Sequence, residues 1–280
     1  MNTLKLKDAT LKYTTLGEGP ILILIPGANG TGDIFRLFAE ALKEHFTVVT
    51  YDRRGYGEST LTHPLPTRAS NAYDDYRIKR DALDIAELAT QLSPDPVYVF
   101  GTSSGAIVGM HLLKEYPDTV KKVALHEPPI NTFLPDSTNW KKKNENIVSD
   151  ILNKGLEEGM KTFSKKNNAS SDDLNTLSQY STNKSEVEKH KYNQTLYWAK
   201  YEIRQYTHSN ITLDDLNKNK SKITLLSGLD SKGNFVYNVN QYISNYIDID
   251  VIHMPDGHFG YLKKPKDFST ILLENWGFLS

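Results

Sequence analysis

The stretch best suited to chemistry surrounds Ser103, in the run Gly101-Thr102-Ser103-Ser104-Gly105. A β-branched and aromatic run, Val97–Phe100, precedes it, and a small, apolar segment follows it. This order predicts a strand, a strained turn and a helix, with glycine required two residues to either side of the serine. A flexible serine-glycine loop is the alternative, but the flanking segments favour the turn. Ser103 is therefore a candidate nucleophile, and the Ser104 amide at the helix N-terminus is suited to stabilise an oxyanion.

The elements that must position Ser103 alternate between strands and helices along the chain. Residues 4–14 alternate in polarity and predict an antiparallel hairpin. Apolar runs predict strands at Ile21–Ile25, Phe46–Tyr51, Val97–Phe100, Val120–Leu125, Ile223–Leu226 and Ile247–Met254. Helical spacing predicts helices at Asp33–Lys43, Tyr76–Leu92, Ser104–Tyr116, Phe235–Asn245 and Lys266–Trp276. Such alternation predicts an α/β fold with a mostly parallel, doubly wound sheet.

No strand is predicted between residues 131 and 221, which indicates an insertion between core segments 1–130 and 222–280. Residues 139–163 and 186–207 are predicted to be helical, and residues 165–184 to form a loop or short turns. The second helix carries Tyr197, Trp198 and Tyr201 at helical spacing. Such a stripe is typical of helix packing, but it also suits a wall that binds an acyl chain, and both roles can hold at once.

Composition excludes several classes of function. The chain has 33 basic and 34 acidic residues and a formal net charge of -1, so no nucleic-acid footprint and no polybasic membrane patch is expected. Because cysteine is absent, disulfides, thiolate metal sites and a cysteine nucleophile are excluded. No apolar leader and no run of about 18 apolar residues is present, so we expect a cytoplasmic protein without a stable membrane anchor.

Four motifs carry a resemblance to a known family: Pro26-Gly27-Ala28, the run from Asp52 to Ser59, the turn at Ser103, and Gly257-His258. With them, the chain resembles the α/β-hydrolases over essentially its whole length, and the insertion lies where that family carries a helical cap. The combination D-R-R-G-Y-G-x-S, G-x-S-S-G-A and H-E-P-P is similar to small bacterial serine hydrolases that fluorophosphonate probes label, which are esterase- or lipase-like.

The resemblance implies the partners of Ser103. The family's chain order is nucleophile, acid and histidine, which points to His258 as the base. Glu127 is the preferred acid, and Asp230 is the alternative, although Asp230 stands two residues after a glycine where the family usually has three. The amide of Ala28 is the implied second oxyanion donor beside Ser104. Asn29 is the fallback donor and a candidate substrate-binding residue.

The resulting expectation is a serine hydrolase without cofactor or metal, which cleaves small to medium hydrophobic esters, lipid esters included, through an acyl-enzyme. Its partner is a small-molecule ester, and a homodimer through the cap is left open. Ser103 excludes dehalogenases and epoxide hydrolases of this fold, which need aspartate as nucleophile. A perhydrolase or carbon-carbon bond hydrolase would use the same three residues, and a ligand receptor that turns over slowly or never is the alternative from a different class.

Overall fold

A computed structural model describes residues 1–28, 30–167 and 186–279, without the side chains of residues 164–167 and 186–191. Within these ranges one sheet contains nine strands. The strands are β1 (Asn2–Lys5), β2 (Ala9–Leu16), β3 (Ile21–Ile25), β4 (Thr47–Tyr51), β5 (Thr60–Leu61), β6 (Val97–Thr102), β7 (Val120–His126), β8 (Ile223–Gly228) and β9 (Val251–Met254).

Helices connect the strands and are numbered here in chain order. The helices before β8 are α1 (Arg36–Leu42), α2 (Tyr76–Leu92), α3 (Ser104–Glu115), α4 (Ser137–Lys154), α5 (Leu156–Asn167), α6 (Glu186–Tyr201), α7 (Ile203–Thr207) and α8 (Leu213–Asn217). The helices after it are α9 (Phe235–Ile247), α10 (Gly260–Lys263) and α11 (Pro265–Asn275). Short 3₁₀ turns cover Gly32–Phe35, Thr67–Ser70, Pro117–Thr119, Lys220–Lys222 and Leu229–Ser231.

The strand order is β1-β2-β4-β3-β6-β7-β8-β9, and β5 pairs with β2. From β4 to β9 each neighbouring pair is parallel, whereas β2 pairs antiparallel with β1, β4 and β5. The mostly parallel sheet and its antiparallel edge hairpin are therefore confirmed. Since the carboxyl ends of parallel strands lie at one edge, the segments that follow β3, β6, β7, β8 and β9 meet there.

Both faces of the sheet are buried, and β3 shows why its sequence is continuously apolar. Ile23 and Ile25 face the core layer that includes α2, α3 and α9. Leu22 and Leu24 face the opposite layer, which includes α1 and α11. Successive strand residues point to opposite faces, so a strand covered on both sides needs an apolar residue at every position.

Five of the described helices, α4 to α8, lie between β7 and β8. The helix predicted over 139–163 is in fact α4 and α5, because Gly155 has a φ of 97° and interrupts the chain between them. The helix predicted over 186–207 is likewise two helices, interrupted at Glu202. Residues 165–167 belong to α5 rather than to the predicted loop, and residues 168–184 of that loop lie outside the described residues.

The last strand is shorter than predicted. Ile247 ends helix α9, and Asp248 follows it in the left-handed conformation with a φ of 55°, so the strand begins only at Val251. A left-handed residue after a helix is a common helix stop. The run Ile247, Ile249, Val251 alternates like a strand, which explains the error.

Candidate active site

Ser103 lies in the turn between β6 and α3. It adopts a φ of 54° and a ψ of -129°, an unusual conformation for a residue with a side chain. Its N–H donates to the carbonyl oxygen of His126 at 2.9 Å. The turn therefore holds Ser103 at the carboxyl edge of the sheet, next to the end of β7.

Close backbone contacts explain the glycines around this turn. A Cβ on Gly101 would lie 2.5 Å from the carbonyl oxygen of Gly105, and a Cβ on Gly105 would overlap the carbonyl oxygen of Ile25. Gly27, which follows β3, approaches the serine itself, because a Cβ there would lie 2.9 Å from Ser103 Cβ. A larger residue at any of these places would displace the backbone that carries Ser103.

Glu127 directly follows β7 and is fully buried. Its Oε2 accepts a hydrogen bond from His258 Nδ1 at 2.6 Å, and its Oε1 accepts one from the Gly228 N–H at 2.8 Å. The imidazole nitrogen is the donor here because an ionised carboxylate can only accept. Thus Glu127 and His258 are brought together, although 131 residues separate them in the chain.

The hydrogen bonds to Glu127 keep it ionised despite its burial. Burial raises the pKa of its carboxyl, but the hydrogen bonds with His258 and Ser231 outweigh burial and lower the pKa to about 2. Glu127 is therefore a carboxylate at neutral pH. A carboxylate at Nδ1 fixes the proton on that nitrogen and leaves His258 Nε2 available as a base.

The ring of His126 packs against the ring of His258. The two rings stack with centroids 5.7 Å apart and an interplanar angle of 19°. His126 Nδ1 lies 2.8 Å from Thr102 Oγ1, and burial lowers the pKa of His126 to about 4. A neutral imidazole at this place supports the ring of His258 without adding a second positive charge.

The other predicted acid, Asp230, is exposed and contributes through its main chain. Its N–H donates to the carbonyl oxygen of Asp256 at 3.1 Å, in the loop that carries His258. A Cβ on Gly228 would lie 2.6 Å from that same oxygen, so glycine is needed where β8 meets this loop. Gly228 and Ser231 were missed as site residues; the only sequence signal was a glycine at the end of a predicted strand.

The predicted oxyanion donors both belong to segments next to Ser103. Ser104 begins α3, and Ala28 follows Gly27, whose backbone contacts the Ser103 side chain. Within the described ranges, neither amide is engaged by another protein group. Free amides at such places can stabilise an oxyanion. Asn29 lies outside the described residues.

The three predicted substrate-binding aromatic residues occupy different environments in the cap. Trp198 is buried, and its ring packs edge-on against Phe163 at 5.5 Å. The Tyr197 hydroxyl donates to the Arg54 carbonyl oxygen at 3.3 Å, and the Tyr201 ring lies 5.1 Å from that of Tyr197. Trp198 and Tyr197 are therefore packing residues first, and Tyr201 is half-buried.

The inserted helices and Tyr56, which follows β4, form an apolar cluster that extends to the segment after β3. The cluster, called the cap cluster below, consists of Tyr56, Ile147, Val148, Ile151, Trp198, Ala199 and Ile203. Half-buried apolar residues pack against it, and Ala28 is one of them. The apolar surface of the cap thus adjoins a predicted oxyanion donor.

Metal-binding clusters and membrane-spanning helices are both absent among the described residues. Among them, no group of three or more His, Asp or Glu side chains is arranged to hold a metal ion. Their helices also include none that is long and apolar enough to cross a membrane.

A family model described as the alpha/beta hydrolase fold matches residues 20–245. The chain belongs to the α/β-hydrolase family. This α/β-hydrolase is 29% identical over 274 residues to the uncharacterized hydrolase YraK of Bacillus subtilis strain 168, covering 96% of this chain and 93% of the relative. It is also 29% identical over 116 residues, 41% of this chain and 40% of the relative, to the pimeloyl-(acyl-carrier protein) methyl ester esterase of Pseudoalteromonas atlantica.

Solved structures share the fold of this α/β-hydrolase. MGS-M2, an α/β-hydrolase enzyme from a Medee basin deep-sea metagenome library, superposes with a TM-score of 0.75 at 14% identity, over 100% of this chain and 98% of that one. At such low identity the likeness concerns the fold. Together with the family match, it confirms the resemblance to the α/β-hydrolases, and the chain is a hydrolase of this family.

Glu127→Gln should change the pH dependence of stability. A carboxyl with a lowered pKa stabilises the fold above its ordinary pKa of 4.5, and this stabilisation is lost as the pH falls from 4.5 towards 2. The effect amounts to about 3 kcal/mol at neutral pH. Urea unfolding between about pH 2 and 7 measures it: the difference between wild type and Glu127→Gln should shrink towards acid pH. Parallel curves for those two proteins would contradict the lowered pKa.

Proposed function

We propose that this α/β-hydrolase cleaves carboxylic esters of small to medium hydrophobic acyl groups through an acyl-enzyme on Ser103. The observation that carries the proposal is the 2.6 Å hydrogen bond between His258 Nδ1 and the buried Glu127 carboxylate. A histidine held in this way, at the same sheet edge as a serine in a strained turn, is the arrangement that activates a serine hydroxyl.

In the proposed reaction the Ser103 hydroxyl attacks the ester carbonyl, and His258 Nε2 takes its proton. The tetrahedral intermediate collapses, the bond to the alcohol oxygen breaks, and His258 returns the proton to the departing alcohol. Water then attacks the acyl-enzyme with His258 again as base, which releases the carboxylic acid and restores the Ser103 hydroxyl. Glu127 stabilises the imidazolium that forms in both halves.

The amides of Ala28 and Ser104 are the proposed oxyanion donors. The tetrahedral intermediate carries its negative charge on the former carbonyl oxygen, and two backbone N–H groups can bind that oxygen without reorganising. Ser104 also begins α3, a helix of 12 residues. The positive end of its dipole would add to this stabilisation.

The apolar cap supports a hydrophobic acyl group as substrate. Ala28 packs against the cap cluster, so an acyl chain attached to a carbon near the oxyanion donors would meet apolar side chains. A relative is named as a methyl ester esterase, which agrees with ester cleavage. We treat residues 131–221 as a lid over this site. Proton and acyl transfer require no electron carrier, so the proposed reaction needs water and no cofactor.

Ser103→Ala is the first test of the proposal. We expect wild type to be labelled by a fluorophosphonate and to release a burst of p-nitrophenol from a short acyl ester, and Ser103→Ala to lose both, with kcat at least about 10⁴-fold lower. Ser70→Ala, which removes a half-buried hydroxyl whose bond among the described residues is to the Thr67 carbonyl oxygen, is the matched control. An adduct of Ser103→Ala in intact-mass spectra would contradict the assignment, and labelling of wild type without turnover would favour a ligand receptor.

The amide isosteres of the two predicted acids decide between them. Glu127→Gln should lower kcat by orders of magnitude, because the histidine loses the carboxylate that fixes its tautomer. Asp230→Asn should lower kcat less than about tenfold, because that side chain is exposed. The reverse result in steady-state kinetics would move the acid to Asp230, and two mild effects would place the third member elsewhere.

Substitutions in the cap should change the preference for acyl-chain length. We expect Tyr201→Ala and Trp198→Ala to change the ratio of kcat/KM for hexanoate to that for acetate esters by about tenfold, because Trp198 belongs to the cap cluster on which Ala28 packs and the Tyr201 ring contacts Tyr197, which packs on the same cluster. Trp198→Ala should also destabilise the protein by about 3–5 kcal/mol because the ring is buried. Tyr73→Ala, at a side chain that is 79% exposed, is the control. A single common factor for all esters would mean that the two residues serve packing alone.

A further inference from the structure

A cluster of buried charges lies between the core and the cap. It contains Arg53 from the segment after β4, Arg77 and Asp81 from α2, and Glu202 from the interruption between α6 and α7. None of these residues is more than 2% exposed. Their two positive and two negative charges balance, as buried ions require.

Arg53 is the centre of this cluster, because its guanidinium has partners in several parts of the chain. Nε and Nη2 both donate to Asp81 Oδ2, at 2.9 and 2.6 Å. Nη2 also donates to Glu202 Oε2 at 2.8 Å. Glu202 in turn accepts from Arg77 Nη2 at 3.0 Å, so the cap carboxylate joins two arginines of the core.

The remaining guanidinium nitrogen of Arg53 contacts the segment beside Ser103. Nη1 donates to the carbonyl oxygen of Gly27 at 3.0 Å, and the Arg53 main-chain N–H donates to the carbonyl oxygen of Gly30 at 2.8 Å. The Gly30 N–H closes the turn by donating to the Gly27 oxygen at 3.0 Å. Arg53 therefore binds the carbonyl oxygens of both Gly27 and Gly30.

The Gly27 carbonyl and the Ala28 N–H belong to the same peptide group. This peptide is trans, so its N–H points away from its carbonyl oxygen, and therefore away from Arg53. A hydrogen bond that holds the Gly27 carbonyl oxygen therefore also sets the direction of the Ala28 N–H. A positive charge at the carbonyl oxygen also polarises the peptide and makes its N–H a stronger donor.

We propose that Arg53 is a positioning residue, which sets the orientation of the Gly27–Ala28 peptide so that the Ala28 N–H faces the oxyanion. Through its bond to Glu202, Arg53 also couples this orientation to the docking of the cap. The inference rests on the proposed function, since it assigns a cause to one of the oxyanion donors. Arginine suits the task because its planar fork binds two carboxylates and a carbonyl at once. Lysine has a single nitrogen and cannot hold all three.

Arg53→Lys tests the proposal, and Arg54→Lys is its matched control. Arg54 is the next residue, is equally buried and donates to Asp84 Oδ2 at 2.6 Å, but among the described residues its side chain has no bond to residues 27–30. Both variants should lose comparable thermal stability. Only Arg53→Lys should lower kcat, by about 100-fold with KM changed less than about threefold, as expected when an oxyanion donor is lost.

Two further measurements separate positioning from general damage. The affinity for a trifluoromethyl ketone, which forms a tetrahedral adduct with the serine, should fall in Arg53→Lys by about the same factor as kcat/KM and stay unchanged in Arg54→Lys. Crystal structures of the variants should show the Gly27–Ala28 peptide rotated or in two orientations in Arg53→Lys alone. If Arg53→Lys does not fold, the double variant Arg53→Gln/Glu202→Gln takes its place in all measurements. It removes one positive and one negative charge, so the buried charges stay balanced.

The outcomes for the two proposals are distinct. A wild type that hydrolyses esters, with Arg53→Lys and Arg54→Lys equal in kcat and in peptide orientation, would overturn the role of Arg53 and leave the proposed function standing. A wild type that neither hydrolyses esters nor reacts with the fluorophosphonate would overturn the proposed function. In that case the peptide orientation in the variant crystals still decides whether Arg53 controls the amide of Ala28.

Discussion

A carboxylate can stay charged inside a protein only where hydrogen-bond donors replace the water it has lost. For Glu127 the donors come from two parts of the chain: the ring of His258 from the loop after β9, and the N–H of Gly228 and the side chain of Ser231 from the end of β8 and the turn after it. The ionised state of Glu127 therefore depends on β7, β8 and β9 being adjacent and in register.

The register of the strands sets the neighbours of this carboxylate. Thr102 is paired with His126 across β6 and β7, so the next residue on each strand, Ser103 and Glu127, leaves the sheet at the same level. Both of these residues have positive φ angles, 54° and 48°, which turn the chain sharply at the sheet edge. Two adjacent strained turns thus place a hydroxyl and a carboxylate at the same sheet edge, where the loop after β9 places His258. Such strain is tolerated where the surrounding structure over-determines it.

Local signals made Ser103 predictable, because five consecutive residues contain the whole turn. The sequence does not distinguish Glu127 from Asp230 in the same way, because each follows a predicted strand. What separates them is which of the two carboxylates the loop of His258 approaches, and this depends on the fold. Arg53 and Arg54 are adjacent and identical in type, yet the side chain of Arg53 binds the Gly27 carbonyl oxygen and that of Arg54 binds Asp84. The error at Ile247 has a related cause, because its spacing fits both a strand and a helix. These cases are decided by contacts between segments that are distant in sequence, which local sequence patterns do not show.

The buried charges at Arg53 also bear on the order in which the chain folds. Glu202 follows Arg53 by 149 residues and Arg77 by 125, whereas Asp81 is close to both in sequence. A ribosome-bound chain that has reached β7 already contains two arginines and one aspartate of the cluster, so its interior would hold a surplus positive charge. Such a charge opposes tight packing until the matching carboxylate is synthesised. The charges of the cluster therefore balance only after Glu202 has been synthesised, so the arginines of the core depend on the inserted helices for their last counter-charge.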